Sequence, residues 1–64
     1  MLKDDILTFR ARNNLSQKKF AQLCGLSIMT INAIENDIQE PTKVTREKIR
    51  LVLSGEKNNA VVNK

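Results

Sequence analysis

The chain contains no histidine, no tryptophan and no tyrosine, and it has one cysteine, one proline and two glycines in 64 residues. Without an imidazole there is no ordinary general base near neutral pH. With a single thiol and no histidine, zinc sites and histidine-based catalysis are excluded. A lone cysteine, Cys24, also closes no internal disulfide. No apolar run approaches the ~20 residues of a membrane span. The opening MLKDDIL carries acidic residues where a signal peptide needs a basic and then an apolar stretch, so a cytoplasmic location is expected. There is no internal repeat, no linker and no sign of a second domain. No enzyme, cofactor, metal or membrane association is expected.

What is present is charge of one dominant sign and a helical pattern. Eleven lysines and arginines face seven acidic residues, a net charge of +4. A small basic domain suits nucleic acid, an anionic surface or an acidic protein, and charge alone does not choose among them. A chain this short buries only ~60% of its unfolded surface, so a single small core is all it can build. Hydrophobic spacing predicts an all-α fold of four helices over residues 1–55, followed by a polar, flexible tail at 56–64.

The first helix is expected over Leu2–Asn13, with Leu2, Ile6, Phe9 and Asn13 on one face. Asp4 and Asp5 lie in its first turn, and Arg10 and Arg12 in its last, as the helix dipole favours. Ser16 caps a second helix, Gln17–Cys24, whose inward positions are Phe20, Ala21 and Cys24. Its third residue after the cap is Lys19, so this is a plain serine cap without the reciprocal glutamate. Gly25 stops that helix and Leu26 fills the corner. Ser27 caps a third helix, Ile28–Asn36, with Ile31 and Ile34 inward. The loop 37–42 holds Pro41, with Ile38 as its expected buried anchor. A fourth helix over about Lys43–Leu53 uses Val44, Ile49, Val52 and Leu53, leaves Leu51 exposed, and stops at Ser54-Gly55.

Residues 17–36 therefore read as two short helices joined by a tight turn. A small residue, Ala21, stands where the backbones approach, and a glycine at the corner is free to take positive φ. The same spacing also suits an ordinary helical hairpin, but here small residue, turn glycine, cap serine and paired isoleucines all fall in register.

The stretch SQKKFAQLCGLSIMTINAIEN resembles the helix-turn-helix of the Cro/CI (Xre-type) transcriptional regulators, typified by lambdoid phage repressors and Cro proteins. The resemblance spans about Leu2 to Leu53 and is carried by Gln17, Ala21, Gly25, Ser27, Ile31, Ile34 and Glu35, with Arg10 in support. It implies a lambda-repressor-like domain of four or five helices, bound to double-stranded DNA, usually as a homodimer on a palindromic operator. It further implies that Ile28, Met29, Asn32 and Ala33 face bases, that Gln17 and Ser27 grip phosphate, and that Arg10 pairs with Glu35.

The residues support part of this on their own. Arg10 and Glu35 each sit at the edge of an apolar stripe, where an unpaired charge is costly and a mutual bidentate bond resolves the cost. Gln17 begins a helix, where free amides favour a phosphate, and Lys18, Thr42 and Lys43 add backbone contacts from beside the groove. On the outward arc of the third helix only Asn32 is a forked polar reader, suited to adenine. Ile28, Met29 and Ala33 suit thymine methyls, hence an A·T-rich site. Adjacent exposed Ile28 and Met29 equally suit a protein surface. The alternative is an antirepressor that binds a partner repressor through this face or through helix four.

Overall fold

The computed structural model describes residues 2–55. Four helices follow one another: α1 (Leu2–Arg12), α2 (Gln17–Cys24), α3 (Ile28–Glu35) and α4 (Lys43–Ser54). Among the described residues there is no strand, and no helix is long and apolar enough to cross a membrane. The tail expected at 56–64 lies outside the described residues.

Each of the three later helices begins with a hydroxyl cap. Ser16 Oγ accepts from Lys19 N at 3.0 Å, Ser27 Oγ from Thr30 N at 3.1 Å, and Thr42 Oγ1 from Thr45 N at 3.2 Å. Each cap satisfies an amide that the helix itself leaves open.

The first three helices also end by one device, a left-handed residue that turns the chain back on the last turn. At α1, Asn14 takes φ 54° and Leu15 N bonds Arg10 O. At α2, Gly25 takes φ 73° and Leu26 N bonds Ala21 O. At α3, Asp37 takes φ 58° and Ile38 N bonds Ala33 O. These are Schellman ends, in which the residue after the left-handed one packs beside the residue whose carbonyl it bonds.

The core is Ile6, Phe20, Ala21, Cys24, Ile31, Ile34, Ile49 and Val52, with Leu2, Phe9, Leu15, Leu26 and Leu53 packed around it. Burying each large side chain contributes about 1.5–3 kcal/mol. Phe9 and Phe20 meet edge to face at 5.8 Å between centroids, a geometry that adds about 0.5–1.5 kcal/mol. α1 packs on α3 and α4, and α2 packs on the same two helices, so the two-helix unit is braced from both sides. Lys3 Nζ donates to Asp37 Oδ2 at 2.8 Å, tying α1 to the end of α3. This bond holds the Lys3 amine above its usual range, but the pair is exposed and contributes little.

The structure corrects several sequence expectations. α1 stops at Arg12, because left-handed Asn14 lets Leu15 close the helix, and Asn13 is exposed with its amide on Phe9 O. α3 stops at Glu35 with Asn36 as cap, whereas α4 runs one residue further, to Ser54. Val44 is exposed, and Leu51 is half-buried where it was expected to be free. Ile38 is not a buried anchor but 73% exposed. The face of the residue it packs beside decides its place. Leu26 follows inward Ala21 and joins the core, whereas Ile38 follows Ala33 on the outward arc.

At Gly25 a Cβ would meet nothing within 4 Å, so Gly25→Ala tests the backbone conformation alone. The variant is expected to lose about 1–2 kcal/mol, the cost of a left-handed non-glycine residue. Circular-dichroism melting should show this as a clear fall in Tm at unchanged helicity. An unchanged Tm would show that the turn does not need this conformation.

Candidate nucleic-acid interface

The outward side of α3 is held in place by a polar chain running beneath it. Glu35, on the last turn of α3, has a side chain only 7% exposed. Arg10 Nη1 donates to both of its carboxylate oxygens at 2.8 Å, and Arg10 Nε donates to Leu15 O at 3.2 Å. The expected pair is thus present, but one guanidinium nitrogen straddles the carboxylate, while a second nitrogen secures the end of α1.

A third partner was not read from the sequence. Gln17 Nε2 donates to Glu35 Oε1 at 2.9 Å, and Gln17 Oε1 accepts from Asn32 Nδ2 at 3.3 Å. The order of donors and acceptors follows from the carboxylate. Glu35 only accepts, so Gln17 turns its amino group inward and its carbonyl outward, and Asn32 must donate. One hydrogen on Gln17 Nε2, one on Asn32 Nδ2 and the Asn32 Oδ1 face remain for an outside partner. Glutamine as the first residue of α2 and glutamate as the last of α3 was the available signal for this link.

The structure gathers five of the nine residues assigned to DNA from sequence. Gln17, Ile28, Met29, Asn32 and Ala33 line one open groove of roughly 430 Å³, and Ile38 joins them. Met29 is 77% exposed, Ile28 and Asn32 are exposed, and Ala33 is half-buried. Ser27 lies next to this groove as the α3 cap, its hydroxyl 3.0 Å from that of Thr30. Lys18 is exposed in the first turn of α2. Thr42 and Lys43 open α4, exposed, and do not line the groove. Ile38 was missed because its loop position suggested burial. The helix end followed by Asn36-Asp37 and then an apolar residue was the signal that sets it beside Ala33.

Truncating Glu35 would leave Arg10 without its carboxylate and Gln17 without its acceptor. Breaking a largely buried pair from one side costs about 3–5 kcal/mol, a large share of what so small a domain has to spare. Glu35→Ala is therefore expected to be unfolded or nearly so at 25 °C by circular dichroism. A Tm within a degree or two of the parent would show the pair to be an ordinary surface contact.

A helix-turn-helix family model matches residues 6–53, most of the described chain. No curated protein and no solved structure gives a significant match. The matched span runs from the first core residue of α1, Ile6, to Leu53 in the last turn of α4, and so takes in the Arg10–Glu35–Gln17 node and the groove above it. With the capped two-helix unit, its turn glycine and the inward isoleucines all in the arrangement described, the chain belongs to the Cro/CI (Xre-type) helix-turn-helix family, a family of DNA-binding regulatory domains.

Proposed function

We propose that this protein is a sequence-specific transcriptional regulator that lays α3 in the major groove of operator DNA. The observation that carries the reading is the convergence of Gln17, Ile28, Met29, Asn32 and Ala33 on one open groove along the outward side of α3. A recognition helix lays that side in the major groove, with its first residues toward base edges. In this reading Asn32 contacts an adenine, Ile28, Met29 and Ala33 contact thymine methyls, and Gln17, Lys18, Ser27, Thr42 and Lys43 contact the phosphate backbone. The net charge of +4 supplies the long-range attraction.

Lambdoid phage repressors and Cro proteins, which the chain resembles, suggest a phage or prophage switch in the cytoplasm and a homodimer on a palindromic site. Two half-sites would then lie about 34–36 Å apart. The self-contained domain in this reading is 1–55. A second reading is favoured by one observation, the exposed apolar surface of Ile28, Met29 and Ile38. Under it the chain is an antirepressor that seats this face on a partner repressor.

Selection from random duplexes, followed by binding measured over a range of salt, separates the two. DNA binding predicts an enriched A·T-rich duplex and affinity that falls steeply with salt. Asn32→Ala is expected to cost about 1–3 kcal/mol and to relax preference at one base pair. Lys18→Ala is expected to weaken all sequences alike and to lower the salt slope by about 1. No enrichment, with a stable complex with a repressor on gel filtration that is lost on Met29→Ser, would favour the second reading.

A further inference from the structure

The groove over α3 has an unusual lining for a base-reading surface. Four of its six residues, Ile28, Met29, Ala33 and Ile38, are apolar, and the other two are the amides of Gln17 and Asn32. No charged side chain lines it, although the chain as a whole is cationic. The two amides are already bonded to each other, and Gln17 is fixed in turn by Glu35. Ile38 is not on a loose loop, because its amide is bonded to Ala33 O at 2.8 Å behind left-handed Asp37. Its exposed side chain lines the groove together with Ile28 and Met29.

On the major-groove edge of DNA the apolar feature is the methyl group at C5 of a pyrimidine. We infer that this groove is a methyl reader, in which Ile38 completes a specificity pocket that recognises the pyrimidine C5-methyl. The inference deepens the DNA-binding reading above and rests on it. The occupant follows from the lining and the charge: the apolar residues suit a methyl on a base edge, and the net charge of +4 favours DNA as the partner.

The consequence concerns a modified base. Thymine and 5-methylcytosine carry the same methyl group and differ at C4, where one presents an acceptor oxygen and the other a donor amine. Isoleucine and alanine side chains offer no hydrogen-bond partner for either group, and the methionine sulfur is only a weak acceptor. The groove therefore gains the same increment from a methyl on cytosine as from the methyl that distinguishes thymine from uracil. Cytosine methylation in a binding site would then raise affinity for this protein, which makes the site responsive to the methylation state of the DNA.

The test uses the full 64-residue chain and the duplex enriched by selection. Each thymine is replaced singly by deoxyuridine, and the same base pair is rebuilt as C·G and as 5-methylcytosine·G. Comparing within each pair isolates the methyl from whatever is read on the opposite purine. Burying one methyl is expected to be worth ~4-fold in affinity. At one or more positions thymine should exceed uracil by about that factor, and 5-methylcytosine should exceed cytosine by the same factor. Ile38→Ala should abolish the increment at one such position with its Tm unchanged, since Ile38 is largely exposed. The inference is overturned if uracil binds as well as thymine everywhere. It is also overturned if the increment appears for thymine but not for 5-methylcytosine, or if it survives Ile38→Ala. Failure of the selection to enrich any duplex would instead overturn DNA binding itself, and the methyl reader with it.

Discussion

A carboxylate that is almost wholly withdrawn from solvent is costly to leave without partners, and the rest of this small domain depends on how that demand is met. Glu35 is answered by Arg10 from α1 and by Gln17 from α2. Three helices are thereby fixed at one point, beside a core of only eight buried residues among those described. Apolar packing is tolerant of small shifts, whereas a carboxylate between a guanidinium and an amide is not. The polar node thus supplies the register that a core of this size supplies only loosely.

The same node reaches the outer surface. Because Glu35 can only accept, the direction of every hydrogen bond from Arg10 through Gln17 to Asn32 is set from inside the protein. Asn32 is the one forked polar group on the outward arc of α3, and a 180° turn of its amide would set two carbonyl oxygens against each other. A structural ion pair is in this way also a device for orienting a surface side chain before any partner arrives. Gln17, which by its place at a helix start suits a phosphate, is engaged in this relay and keeps one hydrogen for an outside contact.

The inner face of the fold was legible in the sequence because its constraints are local and strict. Ser16, Ser27 and Gly25 name their own positions, and Phe20, Ala21, Cys24, Ile31 and Ile34 repeat at helical spacing into a single core. Less legible were contacts that depend on two elements at once. The Gln17–Glu35 bond needs the crossing of α2 and α3 to be known, and the place of Ile38 needs the face of Ala33. Asn14 and Asp37 closed helices in the left-handed conformation without being glycine, which displaced the expected boundary of α1 by one residue and put Ile38 outside. Two of these misses, the Gln17 link and the place of Ile38, bear on the groove, so its lining was only partly described by sequence alone.

The central claim is that one face of this domain, ordered from beneath by Glu35, meets the bases of DNA. The most direct measurement is an NMR titration of the isotopically labelled chain with its selected duplex. The side-chain amides of Gln17 and Asn32 and the methyls of Ile28, Met29, Ala33 and Ile38 are predicted to shift together and saturate at one stoichiometry, while the methyls of Ile6 and Ile49 in the core stay nearly still. Shifts centred elsewhere, with the Asn32 amide and the Ile28 and Met29 methyls unmoved at saturation, would contradict it.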